Sequence, residues 1–580
     1  MNLSLVDTAI VAVYLITMLA VGIYLERRAG KNMESYFLGG RSIPWWLLGM
    51  SGSGSYFDIT GTMWMVSVFY LLGMRGMWEH CFWCFPVAGV MMAFKAKWAF
   101  RSGVLTGLEW LIFRYGPGRA GQSARLITLV VAILSMVFTI GYAGVGVAKF
   151  VEEFVPVQKS ISIPILFGIT GIYTALGGFF SVVISDLYQT TLLTFAAIYI
   201  SLVAFVEIDP IGFRETVGND WFSLTPVMHL AHPPKEYPDP FGLLVIMWVS
   251  KGVFGLIGAG GGGGDFQRFR AARNEGEASK IGMAWGMFLS VRWSLVMAFT
   301  VFGLSILPQE VGALDSERVL PVVLNRVIPI GIKGIILAGL LSAFMNSVDS
   351  LLNVSASFLV NDFVKPLWKN ATARGLVWAG YISTLSVMAL GILVSFQTER
   401  IAAIWNPINF ALGAALLAPG LLAAYWWRIG GWALCLSAVC TLPAAFYVKV
   451  FTDLRELQYF PILAGINLAT CVAASFIFPP APAEVLMNYY RKIRPFGFWG
   501  PVRKLLEQNG ESAERYERDR WDIPVALIAT LFFILLYVLM MDLVLHNWGR
   551  AVWLAGGASV AGFLLYKMWW PLLSQEDGQS

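Results

Sequence analysis

The chain has 580 residues, 57% of them hydrophobic and only 13% charged, with a mean hydropathy of +0.67. A soluble domain carries roughly 25% charged residues, so the composition excludes a soluble globular protein and indicates an all-α polytopic membrane protein. The net charge of +5 follows from membrane orientation and gives no reason to invoke nucleic acid. The 4 histidines have no metal-ligand spacing, and the cysteines all sit in apolar segments. The "CFWC" spacing at Cys81 and Cys84 reads as packing within a span rather than redox chemistry.

Apolar windows of about 20 residues, the length that spans a bilayer, recur about fifteen times. They start near Val6, Ile43, Met77, Leu126, Ser162, Ser181, Phe241, Gly282, Gly334, Val377, Ala402, Gly431, Phe460, Ile523 and Val552, with the fifth and sixth divided near Gly177-Gly178. The first, in "MNLSLVDTAIVAVYLITMLAVGIYLERRAGK", lacks a basic leader and is followed by its positive charges. That order retains a helix with its N-terminus outside. With this start, most of the 41 Lys and Arg fall in segments expected to be cytoplasmic, among them "KAKWAFRSG" and "QRFRAARNEGEASK". The expectation is a multi-pass plasma-membrane protein with its C-terminus in the cytoplasm.

The stretch "SGSGSYFDIT", Ser51 to Thr60, interrupts the second span, and its glycines and serines are expected to unwind the helix there. The seventh span is interrupted by Gly258 and Gly260 to Gly264. Each glycine costs a helix interior roughly 1 kcal/mol relative to alanine, and unwound backbone in a membrane is tolerated only where it lines a cavity or packs on protein. The two breaks are five helices apart. Two five-helix units of opposite orientation, 43–207 and 241–428, would form a transport core over 43–428, preceded by an extra helix and link over 1–42. Interrupted helices at corresponding positions of inverted halves point to a secondary transporter. Close packing of small residues between helices is the competing explanation. Residues 429–580 add further membrane helices and a basic, aromatic segment over 479–521, expected along the inner membrane face. The stretch "RSGVLTGLEWLIFRYGPGRAG" reads as a similar interfacial helix and turn.

Charges inside the spans narrow the chemistry. Asp186 follows "YTALGGFFSVVIS", and Asp349 lies in "LAGLLSAFMNSVDSLLNVSASFL". A carboxylate in a span needs a polar cavity, a cation or a partner. Asn346, Asp349 and Ser350 share one helical face, with Ser347 beside it. That ladder of oxygens suits a hard cation such as sodium, while interhelical hydrogen bonding is the alternative for any one member. Lys251 and Arg292 could pair with Asp58 or Glu79, snorkel, or bind an anionic substrate.

With these residues the chain resembles the sodium:solute symporter family, whose members have the leucine-transporter fold. The likeness rests on "SYFLGGRS", "YTALGGFFSVVISDLYQT", "QRFRAARNEGEA" and "LAGLLSAFMNSVDSLLNVSASFLVNDF", in order, between Val6 and Trp427. The resemblance implies a sodium ion held by backbone oxygens of Gly54, Phe57 and Ala343 and side chains of Asn346 and Ser347. Asn346 stands where the family has a hydroxyl. A second cation site would use Asp186, Asn346, Asp349 and Ser350. Substrate-facing candidates are Ser55, Asp58, Glu79, His80, Lys251, Gly258 and Asn406. Where sugar carriers place an aromatic gate in the seventh span, this chain offers Gly258 and its glycine run, so neither a proline nor a glucose assignment follows by analogy. The function expected is sodium-coupled import of a small polar organic solute by alternating access, with sodium as coupling ion, no cofactor and no enzymatic activity. A proton-coupled symporter or a transporter-like sensor are the alternatives; an embedded enzyme would need a nucleophile–base pair or metal set that the histidines do not supply.

Overall fold

The computed structural model describes residues 3–29, 41–234, 237, 239–257, 266–306, 315–397, 399–401, 404–405, 408–512 and 521–577. The glycine run from Gly258 to Gly264 and the candidate Asn406 lie outside these residues, as do the side chains of Lys251, Cys81 and Cys84. Among the described residues every regular element is a helix, apart from an isolated bridge between Trp426 and Phe498. Ten of these helices are long and apolar enough to cross a bilayer, or eleven if the bent pair after Trp45 is one span.

In chain order the N-terminal part comprises α1 (Leu5–Ala29), α2 (Trp45–Tyr56), α3 (Ile59–Leu72), α4 (Met77–Val90), α5 (Glu109–Tyr115), α6 (Arg119–Phe154) and α7 (Lys159–Glu207). There follow α8 (Phe241–Ile257), α9 (Phe266–Arg270), α10 (Glu275–Ile306), α11 (Ile332–Phe358) and α12 (Ala373–Ser395). The C-terminal part holds α13 (Gly431–Phe451), α14 (Glu456–Ile477), α15 (Ala483–Ile493), α16 (Gly500–Gln508), α17 (Asp522–Val544) and α18 (Trp548–Met568).

The centre of the molecule is α11, whose residues from Ile336 to Asn346 are all buried. It packs along α7, which in turn carries α1. The sequence led us to expect a turn at Gly177-Gly178, yet α7 runs unbroken through that pair for 49 residues. At 1.5 Å per residue such a helix is ~74 Å long, over twice the hydrocarbon thickness. Packing against α1 and α11 offsets the roughly 1 kcal/mol that each glycine costs. At the start of α11, Asp7 of α1 accepts hydrogen bonds from the Gly331 and Gly334 amides, each at 2.8 Å. Those donors would otherwise be orphans of a helix N-terminus, so α1 is fixed to the core helix by a buried cap.

The later helices buttress this centre. The α17 helix packs against α4 and α10, with Tyr537 set perpendicular to Trp293 at 4.4 Å between ring centres. The basic, aromatic segment packs several of its rings onto protein. Tyr489, Tyr490 and Trp499 are buried in protein, and the Arg114 guanidinium of α5 lies 5.2 Å from the Tyr489 ring and 5.0 Å from that of Trp499. Cation–π attraction is strongest where water is excluded, which turns these rings inward.

Candidate functional site

The second span is broken, but not where its glycines stand. Helix α2 continues through Ser51, Gly52, Ser53, Gly54 and Ser55 to Tyr56. The chain leaves helical geometry at Phe57 and Asp58, and α3 sets off at 58° to α2. The expectation that the glycines unwind the helix is therefore corrected: they allow close approach. A Cβ on Gly49 would stand 2.5 Å from that of Ala284, and one on Gly52 would be 2.6 Å from the Trp285 ring. On Gly54 it would meet Thr190 Oγ1 at 2.5 Å and Asn346 Nδ2 at 2.6 Å. Helix α2 is thus pressed between α10, α7 and α11. Asp58 restarts the helix by accepting the Gly61 amide as an N-cap, the geometry that Asp favours at that position.

The break frees carbonyls that ordinary helices consume, and neighbouring helices meet them. The Ser347 hydroxyl of α11 lies 3.0 Å from the Ser55 carbonyl and 3.0 Å from the Ala343 carbonyl. Arg292 of α10 donates through Nη1 to the Tyr56 carbonyl at 2.7 Å and through Nη2 to that of Asp58 at 3.4 Å. Of the expected sodium ligands, Ala343, Ser347 and Asn346 come together with the end of α2. The carbonyl facing Ser347 is that of Ser55, while the Gly54 carbonyl takes the Phe57 amide at 3.0 Å. Asn346 Oδ1 accepts from Ser55 Oγ at 3.1 Å, and its Nδ2 is buried with no hydrogen-bond partner among the described residues.

One turn further along α11 lies a second cluster. Asp186, Asn346, Asp349 and Ser350 are all buried there, linked through the hydroxyls of α2. Asp186 accepts from Ser51, and Ser55 Oγ is 2.9 Å from Ser350 Oγ. Asp349 is turned towards α7, where Tyr173 donates to its Oδ2 at 2.6 Å. The sequence reading omitted the group in the middle of this cluster, Arg268 of α9. Its Nε donates to Ser51 at 2.7 Å, and its Nη2 reaches Ser55 at 2.7 Å, Ser350 at 2.8 Å and Asp186 at 3.4 Å. Its signal was present in "QRFR", directly after the second glycine break, but the arginines there read as cytoplasmic flank.

Beside the break is a cavity of about 280 Å³, lined among others by Ser55, Asp58, His80, Tyr142, Arg292 and Trp405. The Tyr142 and Trp405 rings lie 4.9 Å apart between centres, tilted by 31°, and the Tyr142 hydroxyl is 3.4 Å from Asp58 Oδ1. A second chamber of about 620 Å³ contains Glu79, Lys149, Glu317 and Trp248 in its wall. Trp64 lines both, with its ring 6.4 Å from Trp405, 6.1 Å from Trp248 and 6.3 Å from His80. Of the substrate-facing candidates, Ser55, Asp58 and His80 therefore share the inner cavity, while Glu79 faces the larger chamber and accepts from Tyr237 at 3.4 Å.

The sequence pattern of the sodium:solute symporter family matches residues 36–431, which include both breaks and all of α11. The chain belongs to this family. Over 564 residues the symporter is 24% identical to sodium/glucose cotransporter 4 of Danio rerio, covering 84% of this chain and 81% of that protein. It is 22% identical over 588 residues to the human sodium/myo-inositol cotransporter, covering 87% and 77%. Its fold is similar to the substrate-bound, outward-open state of a Na+-coupled sialic acid symporter, with a TM-score of 0.66 and 18% identity, over 83% of this chain and 99% of that one. The symporter is thus a multi-pass helical membrane protein.

Proposed function

We propose that this symporter imports a small polar organic solute coupled to sodium, by alternating access, with sodium bound where the end of α2 meets the middle of α11. The observation that carries the reading is the convergence of the Ser55 carbonyl, the Ala343 carbonyl and the Ser347 hydroxyl at 3.0 Å beside a break in a membrane helix. Hard cations prefer such oxygen donors, and irregular backbone at membrane depth is used where it lines a site. Gly54, Phe57 and Asn346 complete the set of positions.

The solute occupies the 280 Å³ cavity. Aromatic faces of Trp64, Tyr142 and Trp405 cover its apolar side, and Asp58, His80 and Arg292 supply the few polar groups that orient a ligand. The relatives named above are carriers of glucose, myo-inositol and sialic acid, which favours a hydroxyl-rich solute. The core is an inverted pair of five-helix units, 43–207 and 241–428, flanked by the extra helix in 1–42 and the additional helices of 429–580. With the N-terminus outside and the C-terminus cytoplasmic, the larger chamber opens to the exterior of the plasma membrane. Sodium binding then favours the outward-open state, and solute binding favours closure. Lys251, Gly258 and Asn406 belong to the same solute path by their positions in the chain.

The test is uptake into proteoliposomes under an inward sodium gradient, using glucose, myo-inositol, sialic acid and proline as separate labelled probes. Accumulation of at least one in sodium, and none in choline, is the expected result. Equal accumulation in the two salts removes sodium coupling.

A further inference from the structure

We infer that the Arg268 guanidinium is itself the second cation of this transporter, so that the cluster around Asp186 binds no second sodium and one sodium is bound per protein. The inference rests on the proposed sodium-coupled function and goes further by setting the number of ions.

Of the second-site positions Asp186, Asn346, Asp349 and Ser350, Arg268 meets Asp186 Oδ2 and the Ser350 hydroxyl, along with the α2 hydroxyls of Ser55 and Ser51 that link them, while Asp186 Oδ1 is buried with no hydrogen-bond partner among the described residues. Nη2 lies 2.8 Å from Ser350, 2.7 Å from Ser55 and 3.4 Å from Asp186, and Nε lies 2.7 Å from Ser51. The fork geometry of a guanidinium serves several acceptors at once, and charge-assisted bonds of this kind are the stronger ones. Arg268 is 2% exposed and Asp186 is fully buried, so the charge is committed to this cluster and is not extended to water. A sodium ion and a guanidinium sharing those oxygens would repel each other at a separation where little water screens them.

The source of the charge matters too. Arg268 sits on α9, whereas its partners belong to α2 (Ser51, Ser55), α7 (Asp186) and α11 (Ser350). The arginine supplies from a fourth helix what a dissolved ion would otherwise supply from the bath. Unlike sodium it never leaves, so its binding energy cannot be driven by an ion gradient. Asp349, one turn from Asn346, accepts from Tyr173 at 2.6 Å and, through its other oxygen, from Ser350 at 3.4 Å, so its oxygens are bonded within the protein.

The test uses the full chain, purified in detergent, with radioactive sodium alone as the probe, and counts ions bound at saturation. Wild type is expected to bind one sodium with a Hill slope of one. Arg268→Ala vacates the oxygens and is expected to bind one more than wild type, and guanidinium ion at low millimolar concentration should remove only the added site. Arg268→Lys, which keeps the tethered charge, should bind as wild type does. A wild type that binds two sodium ions overturns the inference, and so does an Arg268→Ala protein with the capacity of wild type. If Arg268→Ala cannot be purified, the wild-type and Arg268→Lys capacities still decide: one in each supports the inference and two in either overturns it. Ser347→Ala separates the two proposals. Wild type binding none while Arg268→Ala binds one refutes the sodium site at Ser347 and upholds the role of Arg268, whereas a roughly five- to tenfold weaker sodium affinity in Ser347→Ala upholds the site.

Discussion

The Ser347 hydroxyl lies 3.0 Å from the Ser55 carbonyl, joining the buried middle of α11 to the last turn of α2. Every element of the proposed sodium site is arranged around that contact. Helix α2 ends there because Phe57 and Asp58 leave helical geometry, and α11 reaches it because α7 and the Asp7 cap hold its register.

Ser347→Ala removes a hydroxyl from the site and slightly improves helix propensity. Loss of one such interaction, about 1 kcal/mol, raises the half-saturating sodium concentration by roughly five- to tenfold. The yield of folded protein should be unchanged. Titrating sodium against melting temperature for both proteins checks this, and an unaltered midpoint would show that Ser347 is not a ligand.

Gly54→Ala should damage the junction of α2, α7 and α11. The added methyl would stand 2.5 Å from Thr190 Oγ1 and 2.6 Å from Asn346 Nδ2, closer than real contacts allow. Overpacking of this kind costs about 1–3 kcal/mol and would displace Asn346. The expected outcome is a lower melting temperature together with weakened sodium binding, measured on the same preparation. A variant indistinguishable from wild type would mean that α2 can move away freely.

Trp64→Ala should join the two chambers whose shared wall is the Trp64 side chain. Preloaded radioactive sodium should then wash out several-fold faster from the variant, because the aromatic partition with Trp405 and Trp248 is gone. Unchanged washout would place the barrier elsewhere.

The partly exposed pair Arg75–Asp220 provides a pH test away from the site. Its bonds, both 2.6 Å, hold the Asp220 carboxyl below its ordinary value, with the Arg75 hydrogen bond as the main cause. A carboxylate whose folded value is depressed stabilises the fold above its unfolded value of about 4, and the benefit is lost as pH falls through the folded value. Asp220 is 78% exposed, so water and salt reduce the pair to ~0–1 kcal/mol. Arg75→Gln should therefore lower the melting temperature slightly at pH 7 and by less as pH falls below about 4. An equal drop across that range would assign the effect to packing of Arg75.

Much of this was legible in the chain because membrane helices announce themselves by long apolar runs, and the cost of intramembrane charge singles out Asp186 and Asp349. The grouping of Asn346, Ser347 and Ser350 followed from helical spacing alone. What the sequence misled on was mechanism at short range. Glycines at positions 52 and 54 have two physical uses, bending and close approach, and only the neighbours Trp285, Thr190 and Asn346 distinguish them. Gly177 and Gly178 similarly failed to interrupt α7, because packing against α1 and α11 outweighs propensity. Arg268 was hidden for another reason: an arginine beside a glycine break has the same letter whether it faces cytoplasm or a buried aspartate 82 residues away in sequence.

The central claim is that sodium binds at the α2–α11 junction. Its most direct test is the melting temperature of the purified protein in sodium chloride and in potassium chloride at equal ionic strength. A ligand that binds only the folded state at 100 times its Kd adds about 2.7 kcal/mol, so sodium should raise the melting temperature by several degrees over potassium, and Ser347→Ala should remove roughly a third to a half of the difference. Superimposable melting curves of wild type in the two salts would contradict the account.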